Sequence, residues 1–307
     1  MIEHSVIIPL YNERANLEEL YTRLSNTIKK VDQPYEIIFV DDGSTDGSFD
    51  ILKRFNQKDP AVKVIRFSRN FGQEVAFETG FKHTKGRYVI QLDADLQNPP
   101  EEIPKLIEKS REGYDIIYGI RKGRKDSIFR KTASKLFHFI MLRFFRIRIP
   151  KEVSTFRVIK GELAREIANL PEKSKFFTAL ASWAGATHSF VEIEHSPRKR
   201  GTSKWSLIRL AIHSLDLVIG HTAIPLRMIS LFGLLFSLLG FILAIYMVYR
   251  KLVTGIAVSG FTSIFTAITI FSGVQLLSLG VIGEYLSRTY AEAQRRPDCI
   301  IRETLGL

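Results

Sequence analysis

The stretch Tyr88-Val89-Ile90-Gln91-Leu92-Asp93-Ala94-Asp95-Leu96-Gln97-Asn98-Pro99-Pro100 decides how the rest of the chain is read. It begins as an apolar strand and ends in two carboxylates one residue apart, followed by two prolines suited to opening a helix. Paired acids in a loop are most often solvated or cap a helix. Their meaning depends on what the flanking chain builds around them.

Working outward, apolar runs alternate with helical patterns. Residues 6–9, 36–40, 62–67, 88–92 and 116–118 read as strands. Residues 14–30, 46–56, 73–83 and 100–112 read as helices, the second capped by Ser44 or Thr45. This order implies an α/β fold with a mostly parallel sheet covered on both faces. Ligands in such sheets sit beyond the carboxyl ends of the strands. There the chain carries Pro9-Leu10-Tyr11-Asn12-Glu13, Val40-Asp41-Asp42-Gly43-Ser44, the segment 68–73, and the acidic pair, so polar chemistry collects along one rim. No G-x-x-x-x-G-K-[ST] or G-x-G-x-x-G follows the first strand. A diphosphate at this rim would then need a metal to neutralise it. Asp93 and Asp95 suit Mg²⁺ or Mn²⁺, which take a few protein oxygens plus phosphate oxygens, and Gln97 can add a neutral oxygen.

The 307 residues suffice for one substantial core and a smaller second unit. A formal charge of +12 points to an anionic partner. Much of it lies in residues 120–150, where ten Lys or Arg stand against the single acid Asp126. Phe129, Ala133, Leu136, Phe137, Ile140, Phe144 and Ile147 form a helical stripe there, with Lys131, Lys135, His138 and Arg146 on another face. A helix at about 124–148 resting on an anionic bilayer is the reading this favours over a solvated basic helix or a nucleic-acid patch. One cysteine, Cys299, excludes an internal disulfide framework and a cysteine-rich zinc site. The start reads as a strand rather than a signal peptide.

The far end differs in kind. Residues 228–249 and 252–283 carry no charge over 22 and 32 residues, and a hydrocarbon core of ~30 Å needs roughly 20 helical residues. Two membrane helices within 226–287 follow, after a juxtamembrane amphipathic helix at 206–225 and before a tail at 288–307. Basic residues flank the outer ends more heavily than the turn at Arg250 and Lys251, which puts the α/β part and both termini on the cytoplasmic side of the inner membrane. A helical hairpin buried in a soluble core is the alternative.

Taken in order, Val6-Ile7-Ile8-Pro9-Leu10-Tyr11-Asn12-Glu13, the segment 40–48, the segment 68–73, the acidic stretch, Arg200-Gly201-Thr202-Ser203-Lys204-Trp205 and Gly283-Glu284-Tyr285-Leu286-Ser287-Arg288-Thr289-Tyr290 resemble glycosyltransferase family 2. The resemblance is to its polyisoprenyl-phosphate glycosyltransferases: bactoprenol glucosyltransferases, aminoarabinose transferases of lipid A modification and dolichol-phosphate mannosyltransferases. It covers nearly the whole chain and implies a GT-A domain over residues 1–205 that binds a nucleotide sugar. Carried onto matching positions, Pro9, Tyr11 and Glu13 line the nucleotide pocket, and Asp41 or Asp42 contacts base or ribose. Asp93, followed by Ala94, holds ribose or metal, with Asp95 and Gln97 on the divalent ion.

The resemblance also implies a polyprenyl phosphate acceptor. Two anionic substrates repel, by roughly 3 kcal/mol per unit pair at ~5 Å and an effective dielectric near 20, and cations must offset this. Arg121, Arg130, Arg198, Arg200 and Lys204 are the candidates, with Ser203 as a hydrogen-bond donor. Relatives commonly show Asp-Phe-Arg where this chain has Thr155-Phe156-Arg157, so a carboxylate that could serve as base is missing. A lipid phosphate ionises with a pKa near ~6 and needs no strong base.

The expectation is a membrane-anchored, metal-dependent inverting glycosyltransferase. It moves one sugar from a nucleotide diphosphate, with UDP favoured, to undecaprenyl phosphate for cell-envelope glycan or lipid A modification. Nucleic acid is not expected as a partner, and relatives suggest a homo-oligomer such as a tetramer. A processive polysaccharide synthase and a non-catalytic nucleotide-sugar-binding scaffold are the rivals. The first usually carries a Q-x-x-R-W motif, in which neither Trp183 nor Trp205 lies.

Overall fold

The computed structural model describes residues 2–121, 155–173, 176–194, 223–254 and 260–307. The chain forms two compact units, Met1–Ser206 together with Pro297–Leu307, and Leu207–Arg296.

The first unit is built on an eight-stranded sheet in the order β7-β5-β6-β4-β1-β2-β3-β8. Its strands are β1 (His4–Leu10), β2 (Tyr35–Asp41), β3 (Val62–Phe67), β4 (Tyr88–Gln91), β5 (Ile116–Arg121), β6 (Arg157–Lys160), β7 (His188–Ile193) and β8 (Ile301–Leu305). The pairs β1–β2, β2–β3, β1–β4 and β5–β7 are parallel, whereas β6 runs antiparallel to β4 and β5, and β8 antiparallel to β3. Central strands of a sheet covered on both faces read as continuous apolar runs, and every residue of β1 is buried. One face packs α1 (Arg14–Lys29), α2 (Ser48–Lys58) and α4 (Ile103–Ser110) through Leu17, Leu20, Phe49, Leu52 and Leu106. The other packs α3 (Gln73–Lys82), α5 (Gly161–Ala168) and α6 (Phe177–Trp183) through Phe77, Phe81, Ala164, Ile167 and Leu180. The mostly parallel α/β sheet expected from the alternation is present, made mixed by the antiparallel β6 and β8.

Two local differences have identifiable causes. Helix α2 starts at Ser48, because Gly47 is left-handed (φ 88°) and Asp46 Oδ1 accepts the Ser48 amide (3.0 Å) and hydroxyl (2.6 Å). Ser44, one of the expected caps, instead accepts the Asn12 amide through its hydroxyl (2.9 Å). The last residues return to the first unit. Besides the β8 ladder, Ile300 O accepts the Ser68 amide (2.9 Å), and Lys173 Nζ lies 2.6 Å from Asp298 Oδ1.

The second unit contains α7 (Ile224–Thr254) and α8 (Phe261–Ala293), both long and apolar enough to cross a membrane. Their apolar side chains are exposed, Leu252 by 79% and Leu276 by 69%, which is not how a core hairpin packs. The two helices touch at Phe236 and Phe271, whose rings meet edge to face at 6.3 Å. The basic segment 124–148 and residues 206–222 lie outside the described residues.

Candidate active site

Parallel register places Leu10 beside Asp41 and Asp41 beside Arg66, so the ends of β1, β2 and β3 form one rim, continued by the end of β4. Asp42 is buried there and organises the neighbouring loop. Its Oδ1 accepts the Phe71 amide at 2.6 Å and its Oδ2 the Gly72 amide at 2.9 Å. Burial pushes its pKa up, those two amides oppose the rise, and the charge of Asp41 adds to it. Gly43 (φ 72°) lets the loop approach, since a Cβ there would lie 2.6 Å from the carbonyl carbon of Arg69.

Asp41 is fully buried, and burial raises its pKa. Its Oδ1 accepts the Ser44 amide (2.9 Å). Its Oδ2 lies 3.5 Å from Arg66 Nε, and both atoms are buried with no hydrogen-bond partner among the described residues. The Arg66 guanidinium stacks on Phe49 at 4.2 Å. Tyr11, 41% exposed, follows β1 at the same rim. Pro9 is buried within β1, and Glu13 precedes α1 and accepts the Asn16 side-chain amide (2.6 Å).

Beyond β4, Leu92, Ala94 and Leu96 are buried, while Asp93, Asp95 and Gln97 alternate with them and are half-buried. The turn is tight: Leu96 is left-handed (φ 61°), and the Gln97 amide donates to Asp95 Oδ1 at 3.1 Å. A left-handed leucine costs roughly 1–2 kcal/mol, and its buried side chain helps hold it there. Asp93 is gripped by three donors. Gln73 Nε2 donates to Oδ1 at 2.7 Å, and Thr155 Oγ1 and Asn98 Nδ2 donate to Oδ2 at 2.5 and 3.4 Å. Burial, reinforced by the charge of Asp95, pushes its pKa up to about 6 against the pull of the Thr155 and Gln73 hydrogen bonds.

Behind this turn lies Arg157, buried between the sheet and α6. Its Nε donates to Gln91 Oε1 (2.7 Å), its Nη1 to Thr178 Oγ1 (3.4 Å), and it stacks on Phe177 at 4.1 Å. Burial lowers its pKa, and Tyr118, Glu74 and Asp93 oppose that. Gln73, Arg157 and the role of Asn98 escape a reading of the sequence alone, because each depends on a tertiary partner. Thr155 stands out in the sequence only as the place of a missing carboxylate, and its contact with Asp93 follows from the register opposite β4.

Arg121 ends β5, which runs in the same direction as β4. Arg130, Arg198, Arg200, Ser203 and Lys204 lie outside the described residues. A cavity of about 170 Å³ lined by Tyr118, Thr178, Ser182 and His188 includes none of the rim carboxylates. Among the described residues no group of three or more His, Cys, Asp and Glu side chains could hold a metal alone. The oxygens of Asp93, Asp95 and Gln97 are of the kind a hard divalent cation takes together with substrate phosphates.

Residues 5–168 match the model of Glycosyl transferase family 2. The chain is 38% identical over 307 residues to an uncharacterized glycosyltransferase of Synechocystis, covering 100% of this chain and 96% of that one. It is 37% identical over 306 residues to an undecaprenyl-phosphate 4-deoxy-4-formamido-L-arabinose transferase of Serratia proteamaculans, covering 98% and 94%. Among solved structures, glucosyl-3-phosphoglycerate synthase of Mycobacterium tuberculosis in complex with UDP superimposes with a TM-score of 0.51 at 20% identity, over 71% of this chain and 78% of that one. The same enzyme with Mn²⁺, UDP-glucose and phosphoglyceric acid also gives 0.51.

Proposed function

This chain belongs to glycosyltransferase family 2, and on that premise we propose that it transfers one sugar from a UDP-sugar to undecaprenyl phosphate at the cytoplasmic membrane face, with inversion. The observation that carries the reading is the single rim on which Asp41 and Arg66, near the ends of β2 and β3, and the half-buried Asp93 and Asp95, beyond β4, all stand. Full-length similarity to undecaprenyl-phosphate transferases and the two exposed apolar helices support the lipid acceptor.

Each group has a defined task. The Asp41–Arg66 ion pair would brace the base or ribose position from within the sheet, and the exposed Tyr11 offers its ring. Asp42 holds the end of the 68–72 loop against the end of β2. Asp93, Asp95 and Gln97 would hold Mg²⁺ or Mn²⁺, which when bound neutralises charge on the departing diphosphate. The acceptor phosphate oxygen attacks the anomeric carbon as the bond to the diphosphate oxygen breaks, and the nucleoside diphosphate leaves with the electron pair. The acceptor is already ionised near neutral pH, so no residue must remove a proton. Thr155 in place of a carboxylate accords with that. Positioning and electrostatics then carry the acceleration.

Two apolar helices whose flanking chain folds into one unit on both sides suit a hairpin that enters and leaves by the same membrane face. The test is incubation of the full chain with undecaprenyl phosphate, Mg²⁺ or Mn²⁺, and a panel of UDP- and GDP-sugars, followed by mass spectrometry of the lipid. A new lipid whose added mass equals one sugar residue is expected. Nucleotide binding without transfer from any donor would overturn the reading in favour of a non-catalytic scaffold.

A further inference from the structure

We propose that Thr155 is a positioning residue for the donor-site carboxylate Asp93, an inference that rests on the glycosyltransferase reading above. The antiparallel ladder between β4 and β6 pairs Gln91 with Arg157. Continued two residues beyond the ladder, the same register sets Asp93 opposite Thr155. The Thr155 hydroxyl closes that step by donating to Asp93 Oδ2 at 2.5 Å. Directly opposed residues of antiparallel strands interact most strongly, so the side chain at position 155 decides what Asp93 meets.

The opposed position is held from below. Arg157 is buried, and its Nε is tied to Gln91 Oε1 at 2.7 Å, which pins the lead-in to β6 against β4. From the other flank, Gln73, the first residue of α3, donates to Asp93 Oδ1 at 2.7 Å. Gln73 follows Phe71 and Gly72, whose amides Asp42 holds. Asp93 thus has neutral donors on both oxygens, Gln73 on Oδ1 and, on Oδ2, Thr155 with a longer contact from Asn98, and the Gln73 side links it to the loop beside Asp42.

The chemistry of residue 155 matters for two reasons. A half-buried carboxylate one residue from another carboxylate is stabilised by donors, and a hydroxyl supplies one without adding charge. A carboxylate at 155 would face Asp93 with a like charge until a cation arrived. Threonine is also stiff at χ1, so its hydroxyl is aimed rather than free to rotate among three wells. In this chain the hydroxyl therefore fixes the Asp93 carboxylate before donor and cation arrive.

The experiment uses the full chain in nanodiscs, with UDP and Mn²⁺ as probes, and compares Thr155→Val, Thr155→Ser and Asp93→Asn. Thr155→Val should weaken Mn²⁺-dependent UDP binding by about tenfold, the loss expected for one hydrogen bond to a charged group. Thr155→Ser should restore most of it. Thr155 is exposed, so the melting temperature should stay near that of the parent. In an Asp93→Asn background, adding Thr155→Val should change UDP affinity by less than about twofold, because the charged acceptor is gone. Unchanged affinity in Thr155→Val, or the same loss with and without Asp93, would overturn the assignment while leaving the glycosyltransferase reading intact. Failure of the parent chain to bind UDP with Mn²⁺ would overturn both.

Discussion

Replacing Gly43 by alanine tests how the rim proposed to bind the donor is assembled. At φ 72° an alanine pays roughly 1–2 kcal/mol for left-handed backbone. Its Cβ would also stand 2.6 Å from the Arg69 carbonyl carbon and 2.8 Å from the Arg69 Cα, where ordinary contact begins at ~3.5 Å. Both neighbours are backbone, so the 68–72 loop must retreat by close to 1 Å. That retreat stretches the bonds from the Phe71 and Gly72 amides to Asp42, now 2.6 and 2.9 Å, and takes the longer one out of hydrogen-bonding range. The combined cost is about 2–4 kcal/mol. Gly113 is the control: it too has positive φ (96°), but nothing lies within 4 Å of a Cβ built there, so Gly113→Ala carries only the backbone cost. Thermal unfolding of the two full-chain variants and calorimetric titration with UDP and Mn²⁺ separate the contributions. Gly43→Ala should melt below Gly113→Ala and bind UDP at least about tenfold more weakly, while Gly113→Ala binds like the parent. Equal melting temperatures and equal UDP affinities would refute the packing of this loop on Gly43.

Three further outcomes follow from groups away from the rim. His4 is buried and burial lowers its pKa, with the Gln33 hydrogen bond opposing. The unfolded chain then binds the extra proton first, and stability is lost as pH falls below ~6.5; unfolding midpoints from pH 7 to 5 should show a smaller decline in His4→Gln. Lys63 pairs with the buried Glu36 at 2.5 Å, and Lys63→Met should cost about 3 kcal/mol in denaturant unfolding, toward the low end because Ser5 and the Lys85 amide still donate to Glu36. Deleting residues 297–307 removes β8 and bares the edge of β3, which should lower the melting temperature and raise light scattering on concentration.

What could be read from the residues followed the strength of local pattern. Strands β1 to β4 and helices α1, α3 and α4 announce themselves because long apolar or helical periods set their length, and the structure moves most of their ends by only a residue or two. β8 was hidden. Ile301-Arg302-Glu303-Thr304-Leu305 is too polar and short to stand out after an apolar helix, and its partner β3 lies more than 230 residues earlier. β6 was obscured likewise, being four residues long and tied to β4 across a wide gap in sequence. In the site, Asp93 and Asp95 are conspicuous because two acids end an apolar strand. Gln73 and Thr155 became partners of Asp93 only through the packing of α3 and the register of β6, which no local pattern encodes.

The central claim is that the acidic pair at the end of β4 serves sugar transfer to a lipid phosphate. Its most direct test is transfer of labelled sugar to undecaprenyl phosphate in nanodiscs by the full chain and by the double variant Asp93→Asn, Asp95→Asn. The parent should build up labelled lipid, while the double variant, still inserted in the membrane, should fall to background. Labelled lipid formed at the same rate by both would contradict the account.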